Sequence, residues 1–257
     1  PNLAIFRNNV SVFKARIPGK RPGGGKVECL LLRQCKLDSL KWRCLLKPGS
    51  KTAKTGIFAV EGEYEARVMT SLPSGEYIVK FKLAKDSGLP QLAERIGSLP
   101  LPHYIRRPLS KRDDERYQTV YANPDNRTAV AAPTAGLHFT TEITKKLEQL
   151  GHCIHDLSLS VGLGTFRPIE SEKLEDHSMH AEEYALPPRT KSILRFQNSH
   201  RLAVGTTCVR AVEDYLLGPD EDIENFTRGE TKLFICPPYT FLGVDHLLTN
   251  FHLPGST

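Results

Sequence analysis

The spacing of apolar residues changes once along this chain, and that change limits the possible folds more than any other feature. Between Lys26 and Leu83 the apolar runs are short and alternate with polar residues. Residues 26–33 read as a strand around Val27, Cys29 and Leu31, and residues 39–46 as a second, with Trp42 between charged neighbours. A Lys47-Pro48-Gly49-Ser50 turn follows, then strands over 57–60, 65–70 and 76–81, the last two joined by Leu72-Pro73-Ser74-Gly75. Short strands punctuated about every 8–12 residues argue for a small antiparallel barrel or sandwich, and closing such a sheet removes its edges.

From Thr140 onward the pattern is different. Residues 140–150 read as an amphipathic helix with Ile143, Leu147 and Leu150 on one face, capped by Thr140 or Thr141 and ended by Gly151. A strand over 154–161, a helix over 191–198, a strand over 201–204, a helix over 209–217 and a strand over 232–235 follow. Such alternation means an α/β domain with a largely parallel sheet. A short helix over 89–96, after a Ser87-Gly88 break, and an extended, proline-locked stretch over 99–108 lie between the two regimes.

The chain of 257 residues is 39% hydrophobic and 25% charged, values of a globular protein with a core. No apolar run approaches the roughly 20 residues that span a bilayer. The first residues lack a signal-peptide pattern, so no membrane and a cytoplasmic location are expected, and the chain is expected to continue beyond both ends. Cysteines 29, 35, 44, 153, 208 and 236 form no C-x-x-C pair. Reduced thiols are expected, not zinc ligands. The net charge of +6 is uneven: twelve Lys/Arg fall between Lys14 and Lys54 against Glu28 and Asp38 alone. Such a block is the footprint of a polyanion-binding surface or a solvated basic face. Lys41, Arg43 and Lys47 are its candidates for contact.

Four loops carry residues fit for chemistry. In Val130-Ala131-Ala132-Pro133-Thr134-Ala135-Gly136-Leu137-His138-Phe139-Thr140 an apolar run breaks at a proline, turns through Gly136 and delivers His138 before a helix. His138 is either a structural hydrogen-bonding residue or an acid–base group. The small residues before it let a ligand approach the backbone, and the helix start favours an anion. Val161-Gly162-Leu163-Gly164-Thr165 has a G-x-G but neither the third glycine nor the acidic residue of a dinucleotide fingerprint. His177-Ser178-Met179-His180-Ala181-Glu182 would suit a metal if helical, but it lacks a defined third ligand, so an acid–base cluster is preferred and no metal is expected. Gly205-Thr206-Thr207-Cys208-Val209-Arg210 runs from strand into helix, and its N–H groups and hydroxyls make a cradle for a polar ligand, with Cys208 in the core. Tyr239 and Phe251 are either core or exposed rings for base stacking, and Asn250 and His252 form a polar pair beside them.

Taken together, these strings resemble the S-adenosylmethionine:tRNA ribosyltransferase-isomerases of queuosine biosynthesis. The resemblance rests on the run Asp114-Glu115-Arg116-Tyr117-Gln118-Thr119-Val120-Tyr121-Ala122, the Ala131–Thr140 loop and Val161–Phe166. His177-x-x-His180-x-Glu182-x-Tyr184, Ala203–Arg210, and Val244-Asp245 with Leu248–Pro254 complete it. One departure is Asn8-Asn9-Val10-Ser11-Val12, where the family usually carries Asn-Asp-Thr-Arg-Val.

The resemblance implies transfer and isomerisation of the ribosyl moiety of S-adenosylmethionine onto 7-aminomethyl-7-deazaguanine at the tRNA wobble position, releasing adenine and methionine. It implies a discontinuous α/β domain, residues 1–16 and 103–257, with an inserted basic β-barrel over 17–102 able to touch tRNA. His138, His180 and Glu182 then become the candidates for proton transfer. Thr134, Gly136, Gly205, Thr206, Thr207 and Arg210 would hold S-adenosylmethionine, and Lys41, Arg43, Lys47, Tyr239, Asn250 and His252 the tRNA. A monomer is expected. The alternative is a tRNA-binding relative that no longer catalyses. A methyltransferase is disfavoured because no methyltransferase glycine motif follows the first α/β strand.

Overall fold

The computed structural model describes residues 2–85, 88–102, 105–162, 179, 181–196, 199–219 and 224–252. The chain divides into two compact units, Pro1–Ser11 with Ser110–Thr257, and Val12–Leu109. Strand β1 (Leu3–Asn8) opens the first unit, and the two-residue β2 (Ser11–Val12) lies at the passage into the second.

The second unit contains β3 (Arg16–Lys20), β4 (Lys26–Cys35), β5 (Asp38–Lys47), helix α1 (Gly49–Thr55), β6 (Ile57–Val60), β7 (Tyr64–Ser71), β8 (Tyr77–Leu83) and helix α2 (Leu89–Ile96). The strands close into a barrel in the order β3-β4-β5-β8-β7-β6, with every paired neighbour antiparallel. Alternation puts Val27, Cys29, Leu31, Trp42, Cys44, Leu46, Val79 and Phe81 inside. Phe58 meets Phe81 and Tyr64 edge-on there, with centroids 6.4 and 6.1 Å apart. The open choice between barrel and sandwich is thereby settled. Two elements were not expected. The Lys47–Ser50 turn runs on into α1, and β3 is a strand despite its Pro18-Gly19.

The first unit continues with α3 (Asp113–Arg116), β9 (Arg127–Ala129), a 3-10 turn (Thr134–His138), α4 (Thr141–Gln149) and β10 (Cys153–Leu159). Then come β11 (Glu182–Leu186), α5 (Pro188–Phe196), β12 (His200–Val204), α6 (Thr206–Leu217), β13 (Thr227–Thr231) and β14 (His246–Leu248). The sheet order is β13-β11-β10-β1-β12-β14. Strands β10, β1, β12 and β14 are parallel, while β11 and β13 add antiparallel pairs at one edge. Central β1 is covered on both faces, as a parallel strand should be. Ala4 and Phe6 pack with Leu157, Leu159, Ala203 and Val212 on one side; Ile5 packs with Ala135, Phe139 and Val204 on the other.

One expectation needs correction here. No strand runs over 232–235; the polar β13, Thr227–Thr231, takes the sheet edge instead, and its Gly229 lets the Tyr184 ring lie against the backbone. Glu182 lies on a strand: β11 starts there, with Glu182, Tyr184 and Leu186 on its buried face. Helix α4 is capped as expected, Thr140 Oγ1 accepting the Ile143 N–H at 3.2 Å, and Gly151 (φ 85°) follows it. Its apolar face is only partly used, since Leu147 packs inward while Ile143 and Leu150 are exposed.

Candidate active site

In a parallel α/β sheet, ligands bind beyond the carboxyl ends of the strands. In the first unit these ends are Asn8, Leu159, Val204 and Leu248. Asn8 is fully buried and braces three of the connections leaving them. Its Nδ2 donates to the Leu159 carbonyl at 2.9 Å and to Thr207 Oγ1 at 3.3 Å, and its Oδ1 accepts the N–H groups of Leu159 and Val10 at 3.0 and 3.3 Å. Asn9 Oδ1 accepts from Ser158 Oγ at 2.8 Å.

The β12–α6 connection turns at Gly205, whose φ of 89° lies in the region that favours glycine. Its N–H donates to the Leu248 carbonyl at 2.8 Å, tying the end of β14 to the start of α6. Among the described residues no side chain caps α6, and no acid occupies its first turn. A cavity of about 310 Å³ opens at that first turn. Thr206, Thr207, Arg210, Asp245 and His246 supply its polar lining, and Val209, Leu233, Phe234, Ile235, Phe241 and Val244 an apolar wall. A helix N-terminus attracts anionic or polar groups, and the apolar wall accepts a flat ring or thioether.

Arg210 is held from several directions. Its Nη1 is ion-paired with Glu182 Oε2, Nε donates to the Leu233 carbonyl at 2.9 Å, and Nη2 donates to the Thr231 carbonyl at 3.4 Å. The other Glu182 oxygen accepts the Gly162 N–H at 2.9 Å. Glu182 and Arg210, assigned separately from sequence to catalysis and to ligand binding, are therefore one buried unit. Cys208 is fully buried, and burial pushes its thiol pKa far up, as suits a core residue.

The 3-10 turn places the other candidates. Gly136 is buried where a Cβ would collide with the Tyr121 hydroxyl, so its smallness serves close packing. Ala135 lies beside Gly205. Exposed His138 sits with Nε2 3.2 Å from Asn250 Oδ1, bringing a proposed catalyst to a proposed substrate contact. Thr134 begins this turn, half-buried. His252 is exposed. The Tyr239 hydroxyl donates to Glu213 at 3.2 Å, and its ring meets Phe241 edge-on. Burial and the Glu213 carboxylate push the Tyr239 pKa up to about 12. His177 and His180 lie outside the described residues.

In the barrel, Lys41, Arg43 and Lys47 alternate with the inward Trp42, Cys44 and Leu46 and so share its outer face. Among the described residues no three His, Cys, Asp or Glu side chains are grouped as metal ligands, and no helix is long and apolar enough to cross a membrane. All six cysteines are free.

Sequence reasoning missed the apolar wall because Leu233–Ile235 reads as a strand. It also missed the bracing role of Asn8, which no local pattern announces.

A family model described as queuosine biosynthesis protein matches residues 1–257. The S-adenosylmethionine:tRNA ribosyltransferase-isomerase of Geotalea uraniireducens is 43% identical over 265 residues, covering 99% of this chain and 75% of that relative. The protein of the same name from Natranaerobius thermophilus is 42% identical over 97% of this chain and 72% of its own length. A solved structure of S-adenosylmethionine tRNA ribosyltransferase from Thermotoga maritima is 28% identical, covers 99% of this chain and 69% of that one, and has a TM-score of 0.40.

Proposed function

The chain belongs to the queuosine biosynthesis protein family, and from that premise we propose that it is an S-adenosylmethionine:tRNA ribosyltransferase-isomerase. It moves the ribosyl moiety of S-adenosylmethionine onto 7-aminomethyl-7-deazaguanine at the tRNA wobble position and isomerises it, giving epoxyqueuosine-tRNA, adenine and methionine. The observation that carries this reading is the cavity at the first turn of α6, with hydroxyls and helix N–H groups on one wall and apolar side chains on the other. S-Adenosylmethionine has the same division into polar amino-acid and ribose groups and a flat adenine ring, joined at a charged sulfonium.

The positive sulfur of the substrate acidifies the hydrogens on its 5′ carbon, so a general base starts the reaction, and adenine leaves with help from a general acid. His138, His180 and Glu182 are the residues we assign to these proton transfers. Asn250 fixes the imidazole of His138. Thr206 and Thr207, with Gly205 and the Thr134–Gly136 turn, hold the polar groups of the substrate. Arg210, fixed by Glu182, presents its charge at the cavity wall. On the tRNA side we assign Lys41, Arg43 and Lys47 of the barrel to phosphates, and Tyr239, Asn250 and His252 to the anticodon region.

The test is incubation of the purified chain with labelled S-adenosylmethionine and tRNA bearing the precursor base. Stoichiometric adenine release with a ribosyl-modified tRNA is expected. RNA binding without adenine release would leave only the non-catalytic reading, and methylated tRNA would overturn ribosyl transfer.

A further inference from the structure

We propose that the outer face of strands β4, β5, β8 and β7 is a docking surface for the phosphate backbone of RNA, centred on Arg33, Arg43, Lys41, Lys80 and Arg67. The inference rests on the reading of tRNA as substrate and adds two strands that the basic block of the sequence does not reach.

Register creates this surface. Arg33 of β4 is paired directly with Arg43 of β5. Lys41 of β5 is paired with Lys80 of β8, and Lys80 is paired in turn with Arg67 of β7. The inward Trp42, Val79 and Ala66 fix the opposite direction for these five side chains. Like charges directly opposed across a sheet destabilise it, yet here three such pairs lie side by side. Among the other outward pairs of the barrel, Glu28 opposes Lys47 and Glu65 opposes Lys82, while Lys20 opposes Lys26 across β3 and β4. The continuous ladder across β5, β8 and β7 marks where the barrel carries cation beyond its own needs.

Two carboxylates lie within this group. Asp38 sits 3.9 Å from Lys41 and 3.6 Å from Lys80, and Glu76 sits 3.0 Å from Arg43. Lys41, Arg43, Lys80 and Arg67 against Asp38 and Glu76 leave an excess of positive charge. Adjacent strands are about 4.8 Å apart, so Lys41, Lys80 and Arg67 form a closely spaced row across the strands, with Arg33 and Arg43 as a second row beside it. Three of these five side chains are arginines, whose planar forks pair bidentately with phosphate oxygens. Lys47, set against Glu28, lies at the margin of this face.

The full chain is titrated into tRNA bearing the precursor base, read by fluorescence anisotropy over a KCl series. The double variant Arg67→Gln/Lys80→Gln is expected to lose about tenfold in affinity at 0.1 M salt and to reduce the salt slope by roughly 1.5, as for two lost phosphate contacts. Lys82→Gln, on the same strand and facing Glu65, stays within twofold of the parent. Arg67→Lys/Lys80→Arg keeps the slope. An unchanged affinity and slope in the Gln double variant overturns the proposal. So does tighter binding of the parent to phosphatidylserine-containing vesicles that the same double variant abolishes, since the occupant would then be a membrane. A parent chain that binds tRNA with this charge dependence yet releases no adenine overturns the proposed activity and leaves this surface standing.

Discussion

Arg210 and Glu182, 28 residues apart in sequence, are joined by a charge-assisted contact between side chains that are only 10% and 3% exposed. The pair fastens α6 to the start of β11, and through Gly162 to the chain leaving β10. Desolvated ions of this kind are strongly interdependent, because either one alone is left buried without a counter-charge.

Glu182→Gln should therefore cost about 3–5 kcal/mol of stability, read as a lower urea midpoint. The apolar double replacement Glu182→Leu/Arg210→Met should recover most of that loss while abolishing adenine release. An unchanged midpoint in Glu182→Gln would show that the pair does not hold the unit together.

His138→Ala should lower the rate of adenine release by about 10²–10⁴, the usual contribution of a proton-transfer group, with tRNA affinity within twofold of the parent. Asn250→Ala frees the imidazole from its 3.2 Å contact and should cost about tenfold, as misplacement of a catalytic group does. Full turnover in His138→Ala would remove this residue from the mechanism.

His155 is 3% exposed on β10, its ring centroid 5.5 Å from that of Phe6 and neither nitrogen hydrogen-bonded among the described residues. Burial, aided by Arg189 and opposed by Asp156, lowers its pKa from the ordinary 6.5. The unfolded chain then binds the proton more readily than the folded one. Stability is fully present above about pH 6.5 and is lost as pH falls through the lowered folded-state value. Melting temperature should drop between pH 7.5 and 5.5, and His155→Leu should flatten that dependence. The same slope in both proteins would assign the acid sensitivity elsewhere.

Gly136→Ala should destabilise the chain by about 1–3 kcal/mol through overpacking against the Tyr121 hydroxyl. Removing that hydroxyl in Gly136→Ala/Tyr121→Phe should restore part of the loss, because Thr119 Cγ2 and the ring carbon that bore the hydroxyl still crowd the new methyl. Urea melts of the two single variants and the double variant check this, and additive losses would place the cost of the alanine in another contact.

Much of this fold was legible because local chemistry and tertiary environment agree. The bounds read for the helix over 89–96 and the strand over 57–60 coincide with α2 and β6, each set off by glycine. Where they disagree, the sequence misleads. No element is read from sequence over Pro18-Gly19, yet β3 tolerates this proline because it borders the seam, where β3 and β6 share the pair Lys20–Ala59. Leu233–Ile235 has the composition of a strand but lines a cavity, while polar Thr227–Thr231 takes the sheet edge. Of the strings singled out for their glycine and hydroxyl residues, Ala203–Arg210 supplies four residues of the cavity lining, Thr206, Thr207, Val209 and Arg210. The coupling of Glu182 to Arg210 was hidden, since no periodicity links a strand to a helix across the core.

The place of β1 in the sheet also has a consequence in time. Ala4 pairs with Cys153 and Leu3 with His200, so the central strand is made well before either of its neighbours. All six staves of the barrel leave the ribosome before either partner exists. Strand β1 is therefore an apolar ribbon held in waiting, and assembly of its sheet is governed by synthesis of the distant half of the chain.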